Sequence, residues 1–119
     1  MQVLLEAGSD KPNALEKAHH HPLFKAAEDG DLLLVEHEVL RVGEDVNKRS
    51  KALGVDMTPL MAAAAMGHIK VVEFLLQQDG IDIEMQSGTC NTALMYAAAA
   101  GNTDIVRLLL AHGADVNAI

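Results

Sequence analysis

The amino-acid sequence predicts an all-α repeat solenoid, a row of similar helix pairs stacked side by side. Three observations predict it. Thr92 to Asn117 reads as an Ala-rich segment, a Gly, a Leu-rich segment, a second Gly and an Asp-Val-Asn ending. The same order recurs from Thr58 to Glu84 and more loosely from His21 to Asn47, and self-similarity at a fixed period marks a repeat architecture. The glycines keep the period: Gly30, Gly67 and Gly101 are 37 and 34 residues apart, and Gly8, Gly43, Gly80 and Gly113 are 35, 37 and 33 apart. The apolar material also suits close helices. Half the residues are hydrophobic, yet the only aromatics are Phe24, Phe74 and Tyr96, and there is no Trp.

Residues 1–20 are the least regular. Gln2 to Gly8 looks like the end of a helix, with Gly8 as its stop. The chain either begins inside the second helix of an earlier repeat or carries a short amphipathic cover there. Lys11-Pro12-Asn13 breaks the chain, Ala14 to Ala18 can form one turn, and His19-His20-His21 follows. The full units are expected near 21–52, 53–86 and 87–119.

In the first unit Pro22 fits the first helical position. Gly30 stops that helix and Asp31 can cap the next. Leu33, Leu34, Val35, Val39 and Leu40 would supply a broad apolar face. Asp45-Val46-Asn47 then enters an expected extended segment. The second unit is cleaner. Thr58 is a natural N-cap with Pro59 behind it, Leu60 to Met66 is a short helix, and Gly67-His68 is a turn. Ile69 to Gln78 has helical spacing with a wide apolar stripe, before Asp79-Gly80 and an expected extended Ile81-Asp82-Ile83. In the third unit Thr92 caps Leu94 to Ala100, Gly101 turns, and Asn102 can cap the next helix. Asp104 favours the positive end of that helix. Ile105, Val106, Leu108, Leu109 and Leu110 are expected to pack inward until Gly113.

A helix pair of about 33 residues opened by Thr-Pro-Leu resembles the ankyrin repeat. The residues that carry the resemblance are Thr58-Pro59-Leu60, Ala63-Ala64, Gly67-His68, Val71-Val72 and Leu75-Leu76. The third unit adds Ala97-Ala98, Gly101, Ile105-Val106, Leu109-Leu110 and Gly113-Ala114-Asp115-Val116-Asn117. The likeness covers roughly residues 21–119. It implies helix-turn-helix pairs joined by β-hairpin fingers, with a concave groove that binds another protein. The departures are specific. Phe24, Met61 and Met95 stand where the family usually has His, so the polar contacts of that imidazole must be replaced by packing. Cys90 stands where a turn Gly is preferred, Thr103 where Leu is usual, and His21 where Thr opens the unit.

By the resemblance, Glu28 and Asp29 face the groove as partner contacts, and Met66 joins Ala65, Ala99 and Ala100 as a soft, shallow apolar floor. Met57, Asn91 and His112 complete the expected contact set. Met61 and Met95 are expected in the core. Asp45 to Thr58 spans 13 positions where Asp82 to Thr92 spans 10, so the first finger carries three extra residues. They fall at Lys48-Arg49-Ser50-Lys51, a basic tip on an acidic chain, with Lys48, Arg49 and Lys51 suited to an acidic patch. Asn47 and Asn117 match the Asp-Val-Asn asparagine that is hydroxylated in some family members, and Glu84 replaces it in the middle unit. The sequence does not decide whether they are modified.

No catalytic constellation is visible. His19-His20-His21 cannot all face one ion, and no partner sits at zinc-site spacing. Cys90 has no neighbouring base or cation to activate it. Glu28-Asp29-Gly30-Asp31 lacks the alternating ligands of a calcium loop. The sequence therefore predicts no enzyme, no metal and no cofactor. The formal charge of −8 argues against direct nucleic-acid binding. One cysteine cannot form an internal disulfide, and no apolar run reaches the roughly 20 residues of a membrane helix. These features point to the cytoplasm, or the nucleus, and to no membrane insertion. The expected function is a protein-interaction module. The alternative is a regulatory or targeting segment of a longer enzyme or channel. Ile105, Leu109 and their neighbours are expected to leave a partly exposed apolar end, covered by self-association or by further repeats.

Overall fold

The computed structural model describes residues 22–52 and 55–115. Expectations for the N-terminal 21 residues, His19 to His21 included, and for Asn117 fall outside that range. Helix α1 spans Pro22–Asp29 and ends at Gly30, whose φ of 77° is left-handed. Asp31 caps α2, Leu32–His37, accepting a hydrogen bond from the Leu34 amide at 3.2 Å. This helix continues as a π-helical turn, Glu38–Val42, closed by Gly43. A hairpin follows, β1 Ser50–Ala52 against β2 Val55–Met57, with Ser50 opposite Met57, Lys51 opposite Asp56 and Ala52 opposite Val55. Then come α3 (Pro59–Met66), α4 (Ile69–Leu76), α5 (Ala93–Ala99) and α6 (Thr103–Ala111).

The caps follow the sequence. Thr58 Oγ1 accepts from the Met61 amide at 3.3 Å, and Thr92 Oγ1 from the Met95 amide at 3.4 Å. Pro59 occupies the first turn, where its missing N–H leaves no bond unmade. Met61 does more than pack. Its sulfur accepts the buried Thr58 N–H at 3.4 Å, closing a capping box with a thioether. The second repeat thus replaces part of an imidazole's polar role with a weak sulfur acceptor.

Helices α1, α3 and α5 form one row and α2, α4 and α6 a second. Contacts along the first row are far more extensive than along the second. Side-chain size explains the difference. The first row meets through buried alanines, Ala26, Ala27, Ala63, Ala64 and Ala97, while the second row meets through Val35, Val71, Val72, Leu75, Ile105 and Leu109. Axis separation depends on the side chains at the contact. The row with the smaller side chains packs closer, so the stack curves with α1, α3 and α5 inside.

Several expected features are corrected. No strand forms at Asp45-Val46-Asn47 or Ile81-Asp82-Ile83; the chain turns at Val46-Asn47 and at Ile83-Glu84 instead. The Asp45 carboxylate accepts the Asn47 amide at 2.9 Å, and the Asp82 carboxylate accepts the Glu84 amide at 3.0 Å. A short carboxylate that bonds two residues onward bends the backbone, which defeats the β-like pattern. Of the expected apolar face in the first unit, only Val35 is buried. Leu33 is 78% and Leu40 63% exposed, because they stand where Lys70 and Gln77 stand in the next repeat. Val42 is exposed as well, at the position that Asp79 holds, also exposed, in the next repeat.

The expected exposed end is corrected at Ile105 and Leu109 and carried by their neighbours Val106 and Leu110 instead. Ile105 and Leu109 are buried, and they correspond to Val71 and Leu75, which are buried too. These positions face back toward the preceding repeat. The forward positions are buried in the earlier repeats at Val35, Val72 and Leu76. In the third repeat Val106 is half-buried and Leu110 is exposed.

Ala64 is fully buried between α3 and α5. Ala64→Glu would place a carboxylate there with no cation to meet it. The expected cost is roughly 3–5 kcal/mol, read as a large fall in the denaturation midpoint. A variant that melts with the wild type would overturn the alanine contact as the basis of the stack.

A candidate partner-binding groove and the staples that shape it

Along the inner row, two sets of equivalent positions end the helices. One set is Glu28, Ala65 and Ala99; the other is Asp29, Met66 and Ala100. Met66 is 56% exposed in the middle of the row, and Ala99 and Ala100 are exposed. Lys25 lies 3.8 Å from the Glu28 carboxylate and 3.5 Å from that of Asp29. These pairs are solvent-exposed and contribute little to stability. The groove is therefore charged over the first repeat and uncharged over the second and third.

The finger side is more committed than the sequence suggested. Lys48, Arg49 and Lys51 lie on the arm entering the hairpin, not at its tip, and Leu53 and Gly54 are outside the described residues. Arg49 Nε donates to the Gln86 carbonyl at 2.9 Å, and Lys51 lies 3.9 Å from Asp56 across the strand pair. Lys48 is exposed. Met57 is half-buried against the core. Asn91 donates from Nδ2 to Thr89 Oγ1 at 3.0 Å. His112 caps the end of α6, in the outer row, and is not brought together with the groove residues.

Asn91 belongs to a loop organised by Ser87, which sequence reasoning did not single out. Ser87 is buried, and its Oγ accepts from the amides of Thr89 and Asn91 and from the Tyr96 hydroxyl at 3.0 Å. The loop is tight enough to hold Cys90 at φ 66°. The usual turn glycine is thus replaced while its left-handed geometry is kept. Cys90 is exposed and free.

Beside this loop is an open depression of about 490 Å³ lined by Asn91, Met95, Tyr96, Ala98 and Ala99. Met95 was expected in the core, but it is only half-buried. Ala27 and Ala64, the equivalents of Ala98, are each covered by the next inner helix, whereas Ala98 is exposed. Aligning the units gives Ala98 this position, but its exposure depends on what lies beyond α5.

Polar side chains staple one repeat to the next. His68 Nε2 is 2.9 Å from the Glu28 carbonyl, and Asn102 Nδ2 donates to the Ala64 carbonyl at 2.8 Å. Asn102 makes no side-chain cap bond to α6, contrary to expectation, because its amide reaches across the junction. Asn47 donates to the Gly80 carbonyl at 2.7 Å and accepts the Asp82 amide at 2.9 Å. At the next junction Glu84 accepts the Asp115 amide at 2.7 Å. A carboxylate can serve that amide but cannot donate to a carbonyl. Among the described residues, no group of three or more His, Cys, Asp or Glu is gathered to hold a metal ion. No helix among them is long and apolar enough to cross a membrane.

The profile described as "Ankyrin repeats (3 copies)" matches residues 1–87 and 23–119. The chain belongs to the ankyrin-repeat family. It is 48% identical over 110 residues to the Ankyrin repeat and KH domain-containing protein mask of Drosophila melanogaster, covering 92% of this chain and 3% of that protein. It is 36% identical over 107 residues to the Ankyrin repeat and SAM domain-containing protein 6 of Mus musculus, covering 89% of this chain and 12% of that protein. Among solved structures, a chain from the complex of a predatory endopeptidase of Bdellovibrio bacteriovorus with an immunity protein superposes with a TM-score of 0.72 at 34% identity, covering 82% of this chain and 48% of that one. The relatives are thus much longer than the stretch they share with this chain. Ankyrin repeats are in general protein-interaction modules without catalysis of their own.

Two substitutions test the staples. A Cβ on Gly30 would lie 2.5 Å from His68 Nδ1, whereas one on Gly101 would meet nothing within 4 Å. Both glycines are left-handed, which costs alanine about 1–2 kcal/mol. Gly30→Ala is therefore expected to destabilise more than Gly101→Ala, and His68→Ala to recover part of the difference in a denaturant-melt double-mutant cycle. Asn47→Ala removes two bonds across a junction. It should cost about 1 kcal/mol and speed hydrogen exchange at the Asp82 amide; unchanged exchange there would show that the staple is idle.

Proposed function

We propose that this chain is a protein-interaction module that binds another protein through its concave groove and the adjoining finger, with no catalysis of its own. The observation that carries the proposal is Met66, a large apolar side chain 56% exposed at the centre of the inner row. The stack leaves it uncovered, and its flexible thioether suits a contact surface. Glu28 and Asp29 contribute from the first repeat, and Lys48, Arg49 and Lys51 from the finger arm. Met57 and Asn91 set the finger bases. The acidic balance supports a protein rather than a nucleic acid as partner, and the lone cysteine fits a reducing compartment, the cytoplasm or nucleus, as its place of action.

A second reading is favoured by the relatives. In them this stretch is a small part of a longer protein, so the module serves as a regulatory or targeting segment of a larger chain. The forward side of the third repeat, with Ala98, Val106 and Leu110, is available to a further repeat or a second copy.

Partner capture followed by quantitative mass spectrometry tests the groove reading. Met66→Arg and Ala99→Arg are expected to lose the captured partner at least tenfold. Lys70→Glu, on the exposed face of the outer helix, should retain it. The triple substitution of Lys48, Arg49 and Lys51 by Ala should weaken capture. Recovery of the same partner by wild type and both groove variants would sink the groove reading.

A further inference from the structure

The outer row carries an apolar patch that stacking does not account for. Leu33 is 78%, Leu40 63% and Val42 53% exposed, on α2 and the π-helical turn that continues it. Their equivalents in the second repeat are Lys70, Gln77 and Asp79, which are exposed although that repeat has a neighbour on each side. A further repeat would therefore leave these positions open. Exposed aliphatic side chains gathered at such positions mark an interaction surface. The same face carries a charge pattern. Lys70 lies 3.7 Å from the Glu73 carboxylate, and Arg107 3.8 Å from that of Asp104, so the second and third repeats each close an ion pair between residues three apart. In the first repeat Glu36 holds the position of Glu73 and Arg107, but Leu33 stands where its partner would be. Among the described residues Glu36 has no ion pair. It follows Leu33 by three residues and precedes Leu40 by four, spacings that make neighbours on a helix surface.

We infer that this patch is a second docking surface, on the opposite row from the groove, for a segment of another protein that carries a Lys or Arg between aliphatic residues. The cation meets Glu36, as Lys70 meets Glu73 within the chain, and the aliphatic residues cover Leu33, Leu40 and Val42. Lys and Arg suit the place because their methylene stems lie along apolar surface while the charged head stays at the rim. Arg41, exposed between Leu40 and Val42 in the sequence, keeps the partner's cation at the Glu36 end. Charge favours this occupant over a second copy. A second copy brings the same Glu36 and the same formal charge of −8, whereas a basic segment is attracted by both. Leu33 and Val42 are nine residues apart, about 13 Å along a helix at about 1.5 Å per residue. About four residues of an extended partner, at about 3.3 Å each, cover the same length.

The full chain is tested with a displayed library of random 16-residue peptides, cleared first on a Leu33→Lys/Leu40→Gln/Val42→Asp variant. These substitutions install the residues of the second repeat, so the variant is expected to melt no lower than the wild type. Peptides then selected on the wild type should carry a cation flanked by aliphatic residues and bind the triple variant at least tenfold more weakly. Leu40→Gln alone should weaken them in the same direction, which keeps the test standing if the triple variant melts lower. Glu36→Gln should weaken them about threefold and flatten their salt dependence. Met66→Arg, in the groove, should leave them unchanged. Peptides without a cation, or unmoved by Glu36→Gln, would overturn the proposed chemistry. Failure to find any peptide that separates wild type from the patch variants would overturn the docking surface and leave the groove reading untouched. Two measurements on the chain alone cover the other occupants. A dimer in sedimentation of the wild type that is lost in the triple variant would assign the patch to a second copy. Faster hydrogen exchange in residues 1–21 of the triple variant would assign it to the chain's own N-terminal segment. Either result overturns the proposal.

Discussion

The fold depends on how closely the inner helices approach. Ala27 and Ala64 are fully buried where one inner helix meets the next, and Ala26, Ala63 and Ala97 are buried beside them. Small side chains at the contact let the helix axes approach closely. The outer row, built from Val, Leu and Ile, stands further apart. The concave surface follows from that difference in side-chain size. Because each repeat buries its apolar side only against its neighbours, a defect at one alanine opens a junction rather than a local void.

Apolar contact brings the repeats together, and polar staples fix their rotation. His68, Asn102, Asn47 and Glu84 each reach a backbone group of the adjacent repeat. The staples are not identical, and the chemistry of each decides what it can hold. An amide can donate and accept at once, as Asn47 does. An imidazole presents one ring nitrogen to a carbonyl, and an ionised carboxylate such as Glu84 only accepts. The junctions are alike in packing and graded in hydrogen bonding.

The repeat was legible from its period, and the Asp31, Thr58 and Thr92 caps because each is local. Thr58-Pro59 and Thr92 announce helix starts, and Gly30, Gly67 and Gly101 announce turns. What escaped the sequence needs a neighbour to be defined. Leu33 and Leu40 match a helical stripe, but the stripe is wider than the surface the next repeat covers. Ile105 and Leu109 look no different from Val106 and Leu110, yet the first pair faces back into the core and the second faces forward. Asp45 and Asp82 sit in strand-like triplets that their own carboxylates bend into turns. Glu28, Asp29 and Met66 could be placed on the groove by resemblance alone. That Arg49 and Lys51 already have partners, and that Ser87 gathers the third finger, required the three-dimensional arrangement.

The stack and the groove draw on different side chains. Glu28 contributes its carbonyl to the junction with His68, while its carboxylate is left at the surface beside Lys25. Ala64 likewise gives its methyl to the core and its carbonyl to Asn102, and the next two positions, Ala65 and Met66, face outward. Substituting the groove positions therefore changes what the surface presents without removing a bond that sets repeat geometry. Tyr96 is the exception. Its ring walls the depression and its hydroxyl holds Ser87, so a change there alters both the surface and the loop beneath it. The third repeat is consequently the least free to vary its contact surface, even though its sequence is the most regular of the three.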